Sequence, residues 1–361
     1  MKITLLIGSL SGGGAERVVC NLANYLANAK HDVTVLTVSD KQTYELIKEV
    51  RHKVLFSESN SKLPHILINV IRFFRFNRYL RREKVDVYIT FLPELTGMLL
   101  AQKRFINCPI IVAERADPKT FCDRSNKNRK MFDKYYPKAD GYVFQTETAR
   151  EYYSSRGIDV TRSEVIANAI NPIFLEKNNQ PRKKKTIIAA GRLTEQKNFS
   201  LLIKAFSLAQ KSIQDYSLEI YGQGPLLELL KKEAQELGIE KKVTFPGFEN
   251  NMKDKLETAS LFVLSSDFEG MPNALIEAMA TGLPCISTRC RGGGAEFLIN
   301  DHENGILVPV GDVSAMADGI VEVLNSPKLA ERLGLAASEI KNNLSPDIVY
   351  GRWECFIKTF E

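Results

Sequence analysis

The chain alternates short apolar runs with longer stretches in which apolar residues recur every three or four positions. The first run, residues 3–7, leads into a glycine-rich segment at residues 9–14 and then into a periodic stretch that carries Val18 and Leu22. A second apolar run follows at residues 33–38. This order predicts a strand, a loop, a helix and a second strand.

Comparable apolar runs recur at residues 85–91, 110–112, 141–144, 186–190, 218–221, 243–245, 261–264, 285–287 and 306–308. Because helical stretches separate them, they predict parallel sheets covered by helices on both faces. The periodicity stops near residue 168 and gives way to proline, asparagine and basic residues. We therefore predict an α/β protein with two Rossmann-like doubly wound domains, 1–170 and 186–344, joined by a linker at 171–185. We expect the two domains to face a central cleft and to bind ligands at the carboxyl ends of their strands.

Composition places the chain among ordinary globular proteins. Its 361 residues are 44% hydrophobic and 25% charged, and it lacks the apolar run of roughly 18 residues that a membrane-spanning helix needs. The first apolar run stops at Gly8 without a small-residue cleavage site, so we expect a buried strand and not a signal peptide. Six cysteines without a C-x-x-C pair and four histidines without helical ligand spacing predict reduced thiols in a cytosolic protein and no metal site.

Positive charge is concentrated in the first half of the chain. Residues 1–180 hold 28 Lys and Arg against 19 Asp and Glu, whereas the remainder holds 21 against 24. This excess indicates an anionic partner for the first domain. Nucleic acid is the weaker hypothesis, because no recognisable nucleic-acid-binding motif accompanies the charge.

Two segments carry most of this charge. Residues 61–82 contain six basic residues and no acid, and residues 119–138 form a second basic cluster. In the first segment, apolar residues that include Phe74 and Tyr79 accompany arginines at helical spacing. Those arginines are Arg72, Arg75, Arg78 and Arg82. A basic amphipathic helix of this kind can lie on an anionic membrane leaflet, and the alternative is a solvated helix packed on the sheet.

Two loops that follow predicted strands carry residues suited to an anion. Gly13 and Gly14 would let backbone N–H groups approach a phosphate, although Arg17 stands where a dinucleotide motif has its third glycine, and a tight turn is the alternative. After the strand at 186–190, Arg192 and Lys197 offer a planar donor fork and a compact positive charge, which together suit a diphosphate. A solvated loop is the alternative for this pair.

A third loop gives the clearest chemical pattern. Glu269 and Gly270 follow the strand at 261–264, a helix is predicted to begin around Pro272, and Glu277 lies inside that helix. A carboxylate at the mouth of a helix N-terminus and another along its flank could bind sugar and ribose hydroxyls. The alternative is a helix cap at Glu269 and an exposed helical residue at Glu277.

Residues 267–284 resemble the motif of retaining glycosyltransferases of family 4, in which two glutamates are separated by seven residues. The resemblance extends over nearly the whole chain, through segments at residues 11–17, 191–197, 221–225, 245–248 and 304–309. It implies the GT-B fold, with a C-terminal helix at about residues 345–361 packed back on the first domain. It also implies transfer of a hexose or N-acetylhexosamine from a UDP-sugar, with retained anomeric configuration and without a metal or other cofactor. The implied acceptor is a glycan, linked to polyprenyl diphosphate, of a bacterial surface polysaccharide, at the cytoplasmic face of the cell membrane.

The same resemblance assigns roles to individual residues. It implies that Arg192 and Lys197 hold the donor diphosphate, that Glu269 contacts the donor sugar, and that Glu277 contacts the ribose. The remaining implied donor-binding residues are Gly13, Gly14, Gly247, Phe248, Gly270, Met271, Pro272 and Asn273.

One departure from the family lies on a loop of the first domain. Several relatives have a histidine there that faces the donor sugar, whereas this chain has Glu114 and Arg115. Either residue could bind the acceptor or the sugar, or the two could form a structural ion pair.

Other functions remain open on the sequence alone. A UDP-sugar 2-epimerase on the same scaffold would convert the nucleotide sugar without an acceptor. A non-catalytic protein would bind the nucleotide sugar without turnover. A dehydrogenase is the least supported, because the second strand does not end in the expected acidic residue.

Overall fold

The computed structural model describes residues 1–55, 65–176 and 184–361, which form two compact units. The first unit comprises Met1–Asn168 and Asp347–Glu361, and the second comprises Ala169–Pro346. The predicted linker at 171–185 lies partly outside the described residues. Its described part contains one turn of 3-10 helix, Pro172–Phe174.

The first unit is built on a seven-stranded sheet of parallel strands in the order β3-β2-β1-β4-β5-β6-β7. The strands are β1 (Lys2–Ile7), β2 (Asp32–Thr37), β3 (Arg51–Val54), β4 (Val87–Thr90), β5 (Ile110–Ala113), β6 (Gly141–Phe144) and β7 (Ser163–Val165). The helices are α1 (Gly14–Asn28), α2 (His65–Arg82), α3 (Pro93–Leu100), α4 (Pro118–Asp123), α5 (Asn126–Tyr135), α6 (Glu147–Ser155) and the C-terminal helix α15 (Pro346–Lys358).

The second unit repeats the arrangement on a six-stranded parallel sheet in the order β10-β9-β8-β11-β12-β13. The strands are β8 (Thr186–Ala190), β9 (Ser217–Tyr221), β10 (Val243–Gly247), β11 (Leu261–Leu264), β12 (Cys285–Thr288) and β13 (Ile306–Val308). The helices are α7 (Phe199–Ala209), α8 (Leu227–Glu236), α9 (Met252–Thr258), α10 (Asn273–Ala280), α11 (Gly294–Leu298), α12 (Val313–Asn325), α13 (Pro327–Ser338) and α14 (Lys341–Leu344).

The strand order reverses at one point in each sheet. In the first unit the reversal lies between β1 and β4, and in the second it lies between β8 and β11. Parallel α/β sheets bind ligands at the carboxyl ends of the strands beside such a reversal. The loops after β8 and β11 therefore lie where a ligand of the second unit is expected.

The apolar runs of the sequence match eleven of these strands to within two residues, and the α/β class with two doubly wound sheets is confirmed. The pattern did not reveal β3 and β7. Both are short edge strands whose residues are partly or fully exposed, so neither carries the apolar run that marks an interior strand.

One apolar layer of the first unit joins helices that are distant in sequence. Phe76 of α2 and Phe132 of α5 are both fully buried in a cluster that includes Tyr88 of β4 and Tyr142 of β6. Because both helices pack into this cluster, the two basic segments of the sequence lie on the same face of the sheet. Within the described ranges, no helix combines the length and hydropathy required to cross a bilayer.

Candidate functional site

The loops after β8 and β11 are joined by an ion pair. The Nζ atom of Lys197 lies 2.5 Å from Oε1 of Glu269, and the two side chains are only 17% and 9% exposed. The pair connects the two loops that flank the strand-order reversal of the second unit. The structure therefore brings together two residues that the sequence predicted for one site.

Additional hydrogen bonds hold these loops in register. Asn198 donates from Nδ2 to Oδ1 of Asp267 at 2.8 Å, and Gln196 donates from Nε2 to the carbonyl of Phe268 at 2.9 Å. The N–H of Asp267 donates to the carbonyl of Gln196 at 2.9 Å. Asn198 also caps α7 from a left-handed backbone conformation, with φ of 43°. Asn198 is not among the site residues predicted from the sequence, although asparagine immediately before an apolar helical stretch indicates such a cap.

Arg192 stands at the same edge of the sheet with its guanidinium available. It is exposed, and it makes no side-chain hydrogen bond or ion pair with the described residues. The absence of a side chain at Gly191 leaves room for the Lys197 side chain, because a Cβ atom at position 191 would lie 2.9 Å from Cε of Lys197. An unpaired guanidinium next to a shared ammonium is a suitable pair of cations for a diphosphate.

Helix α10 starts one residue later than the sequence predicted. Pro272 has extended backbone angles, φ −77° and ψ 98°, so it caps the helix and Asn273 is the first helical residue. Glu277 lies one turn inside α10 and is partly exposed, whereas Met271 is buried. The loop before α10 is tightly packed, because a Cβ atom on Gly294 would lie 1.9 Å from the carbonyl oxygen of Gly270.

The end of β10 and the loop that follows it contain the residues predicted to flank a base. Gly247 has φ of +87°, which turns the chain out of the strand in a conformation that favours glycine. Phe248 follows and exposes 67% of its surface. An exposed ring of this kind offers an apolar face for stacking.

Cys290 is a buried cysteine of the second unit. Burial, followed by the charge of Glu269, raises the pKa of the Cys290 thiol to about 12, so the thiol stays protonated at neutral pH. In the part of the chain that the structure describes, no group of three or more His, Cys, Asp or Glu side chains could hold a metal ion.

In the first unit, the glycine loop leads directly into α1. Gly13 caps the helix, and Gly14 is its first residue. The carboxylate of Glu16 lies over Gly13, since a Cβ atom there would be 2.0 Å from Oε2 of Glu16. The helix N-terminus that the sequence predicted to approach a ligand thus already has an acidic side chain beside it.

The side chains of Glu114 and Arg115 have separate hydrogen-bond partners, and the hypothesis of an ion pair between them is wrong: both residues are described, and no ion pair joins their side chains. The Tyr153 hydroxyl donates to Oε2 of Glu114 at 2.8 Å, and the N–H groups of Arg115 and Ala116 donate to Oε1 at 2.9 and 3.1 Å. The carboxylate therefore shapes its own loop, and burial raises its pKa.

The Arg115 guanidinium is held mainly by aromatic rings. Its Cζ lies 5.0 Å from the ring centroid of Trp353 and 5.5 Å from that of Phe91, and Nη1 donates to Oδ1 of Asn168 at 3.2 Å. Burial lowers the pKa of Arg115 to about 10. Its Nε and Nη2 atoms are buried without a hydrogen-bond partner among the described residues.

Helix α2 presents part of the predicted basic surface to solvent. Arg75, Arg78 and Arg82 are exposed, whereas Arg72 is partly buried. Arg75 also donates from Nη1 to the carbonyl of Leu55 at 3.0 Å, which ties it to the chain after β3.

The apolar residues of α2 whose side chains the structure describes divide between its two sides. Phe74 is 67% exposed, but Tyr79 is only 9% exposed and its hydroxyl lies 2.9 Å from Oγ1 of Thr4. The expectation that Tyr79 belongs to the outer apolar surface is therefore wrong, because its ring packs in the core beside Phe76.

Comparison with known proteins agrees with this architecture. Residues 171–339 match the family described as "Glycosyl transferases group 1", and residues 12–173 match "Glycosyltransferase Family 4". One relative is the N-acetylgalactosamine-N,N'-diacetylbacillosaminyl-diphospho-undecaprenol 4-alpha-N-acetylgalactosaminyltransferase of Campylobacter jejuni. It is 30% identical over 342 residues, which cover 91% of each chain.

A second Campylobacter jejuni relative is the GalNAc-alpha-(1->4)-GalNAc-alpha-(1->3)-diNAcBac-PP-undecaprenol alpha-1,4-N-acetyl-D-galactosaminyltransferase. It is 30% identical over 339 residues, covering 92% of this chain and 91% of the relative. Among solved structures, Anabaena Alr3699/HepE in complex with UDP-glucose has the same fold. Its TM-score is 0.83 at 17% identity, over 99% of this chain and all of that one. The chain therefore belongs to glycosyltransferase family 4 and is a glycosyltransferase of the GT-B fold.

Proposed function

We propose that this glycosyltransferase transfers a hexose or N-acetylhexosamine from a UDP-sugar to a glycan linked to polyprenyl diphosphate, with retention of the anomeric configuration. The observation that carries the proposal is the Lys197–Glu269 pair beside the unpaired Arg192, at the strand-order reversal of the second unit. The names of the two Campylobacter relatives support a diphospho-undecaprenol acceptor, and the UDP-glucose complex of the Anabaena protein supports a UDP-linked donor. The reaction would serve bacterial surface-polysaccharide synthesis.

The chemistry of the leaving group explains the two cations. Breaking the bond between the sugar and the nucleoside diphosphate places negative charge on the departing phosphate, and fixed positive groups stabilise it. In this proposal Arg192 binds the diphosphate through its donor fork. Lys197 adds a second positive charge through one N–H group of its ammonium while another N–H group contacts Glu269. The N-terminus of α10 adds its dipole, so the reaction needs no bound metal ion.

The carboxylates bind hydroxyl groups. Glu269 contacts the donor sugar, with the backbone of residues 270–273 alongside, and Glu277 contacts the ribose. Gly247 and Phe248 flank the base. The acceptor hydroxyl attacks the anomeric carbon of the donor sugar on the same face from which the leaving group departs. A donor phosphate oxygen accepts the proton of that hydroxyl. Glu269 then acts in binding and is not the acid of a hydrolase pair.

For the acceptor, we retain Arg115 as the proposed binding residue of the first unit. Its Nε and Nη2 atoms have no partner in the described chain, and together they form the side-on fork that a phosphate or carboxylate accepts. Glu114 is better suited to positioning this loop, because both of its oxygens already accept hydrogen bonds.

We further propose that the first unit rests on the anionic inner face of the cell membrane through α2. Phe73 and Phe74 are 49% and 67% exposed there, close in sequence to the exposed Arg78. Exposed aromatic rings beside arginines favour the lipid headgroup region. The basic residues of α5 lie on the same face of the sheet, and all of its lysines and its arginine are exposed.

A donor panel tests the catalytic proposal. Purified protein is incubated with UDP-, GDP- and ADP-sugars, with and without a polyprenyl-diphosphate-linked glycan, and nucleotide release and product anomer are followed by NMR. We expect release from a UDP-sugar, stimulated by the acceptor, with an initial product of the same anomeric configuration as the donor. An epimerase would instead convert the UDP-sugar without acceptor, and a non-catalytic protein would bind it without turnover.

A further inference from the structure

Ser266 is a fully buried residue that touches the Lys197–Glu269 pair. Its hydroxyl donates to Oε1 of Glu269 at 2.7 Å, which is the same oxygen that the Lys197 ammonium contacts at 2.5 Å. The carbonyl of Ser266 accepts a hydrogen bond from the Thr288 hydroxyl at 2.5 Å. Ser266 is thereby fixed to β12 on one side and to the Glu269 carboxylate on the other.

This arrangement distinguishes the two oxygens of Glu269. Oε1 accepts from both Ser266 and Lys197, so its hydrogen-bonding capacity is largely used. Oε2 makes no hydrogen bond with the described residues. A carboxylate whose two oxygens differ in this way has one defined direction in which it can accept a further donor.

We infer that Ser266 is a positioning residue for the donor sugar, because its hydroxyl holds Oε1 and leaves Oε2 as the oxygen that accepts a sugar hydroxyl. This inference rests on the proposed function. Lys197 alone could not fix the carboxylate in this direction, since an ammonium on a flexible stem can follow a rotating carboxylate. The buried hydroxyl on a short side chain cannot follow it, so the rotamer of Glu269 is set by Ser266.

The test compares UDP-sugar binding with UDP binding, because UDP lacks the sugar that Oε2 would contact. Calorimetry gives the Kd of UDP, of UDP-glucose and of UDP-N-acetylglucosamine for the wild type and for Ser266→Ala. The matched control is Ser287→Ala, another fully buried serine, whose hydroxyl donates only to the carbonyl of Thr288 at 3.0 Å. Thr288→Val serves as a second variant that loosens Ser266 without altering its hydroxyl.

We expect Ser266→Ala to leave the Kd of UDP unchanged and to weaken the better UDP-sugar on the order of tenfold, as the loss of a hydrogen bond to a charged group predicts. Thr288→Val should shift the same ratio of dissociation constants less, and Ser287→Ala should not shift it. Equal ratios in the wild type and Ser266→Ala would overturn the inference alone. A wild type that binds neither UDP nor a UDP-sugar would overturn the proposed function, and the inference with it.

Discussion

The ammonium of Lys197 lies 2.5 Å from a carboxylate oxygen of Glu269, although the two residues are 72 positions apart in the chain. Because both side chains are largely buried, neither charge can be solvated freely if the other is removed. The pair also stands where the proposed diphosphate must be neutralised. It therefore couples the stability of two loops to the chemistry of the site.

Replacing Lys197 with methionine should lower turnover on the order of 100-fold or more, because the departing phosphate loses a fixed cation. It should also destabilise the fold by up to about 3 kcal/mol, since the largely buried Glu269 charge is left unpaired. Nucleotide-release assays and urea unfolding measure the two effects. The double variant with Glu269→Gln should recover stability but not activity. A Lys197→Met protein with wild-type turnover would contradict the proposed role.

Arg192 should behave differently, because it is exposed and unpartnered in the described chain. Arg192→Ala should reduce turnover on the order of 100-fold with an unchanged Tm, since the side chain contributes to the reaction and not to packing. Arg192→Lys should recover only part of the activity, because lysine keeps the charge but lacks the donor fork. A large fall in Tm for Arg192→Ala would show that the side chain has a structural role.

Alanine substitutions at two glycines with positive φ allow the free-energy cost of backbone strain to be distinguished from the cost of a steric clash. Gly222 has φ of +132°, and a Cβ atom there would lie 1.9 Å from the carbonyl oxygen of Gly191, beside Arg192. Gly238 has φ of +70° with no atom within 4 Å of such a Cβ. Gly238→Ala should therefore cost about 1 kcal/mol in the free energy of unfolding, and Gly222→Ala should cost clearly more and reduce activity. Equal losses in urea unfolding would show that the close approach to Gly191 is relieved at little cost.

Neutralising Arg78, Arg81 and Arg82 together to glutamine should weaken binding to vesicles that contain phosphatidylglycerol, because these exposed arginines attract anionic headgroups at about 1 kcal/mol each. Vesicle sedimentation at increasing salt measures the effect, and activity on a water-soluble acceptor should be unchanged. The matched control removes three exposed lysines of the second unit, Lys211, Lys241 and Lys328. Equal binding by both triple variants would argue against a specific role for α2.

Acid should destabilise the first unit through Glu354 of α15, which pairs with Lys358 in the same helix and with His31. The hydrogen bond from Lys358, followed by that from His31, holds the pKa of the Glu354 carboxyl below its usual range. The unfolded chain then binds more protons than the folded one, so this stabilisation is present above about pH 4.5 and is lost as the pH falls further. At pH 6, the Tm of Glu354→Gln should be lower than that of the wild type. Near pH 3 the difference in Tm between the two proteins should be smaller. The exposed Glu240→Gln should follow the wild type at each pH, and identical Tm profiles for all three proteins would contradict the linkage.

The sequence alone determined the elements that depend on local pattern. Apolar runs predicted the interior strands, and two glutamates separated by seven residues predicted the site at the loop after β11. Periodicity and motif spacing are properties of neighbouring residues, so the sequence contains them directly. The short edge strands β3 and β7 had no such pattern. Their pairing depends on a neighbouring strand and not on their own side chains.

Only the tertiary structure decided which side chains meet. The pairing of Lys197 with Glu269, and the hydroxyl of Ser266 on the same oxygen, arise because the sheet order sets β8 beside β11. The inward direction of Tyr79 and the common face shared by α2 and α5 follow in the same way from packing on one apolar layer. Helical spacing restricts which residues share a side of a helix, but the contact that covers that side involves residues far away in the chain.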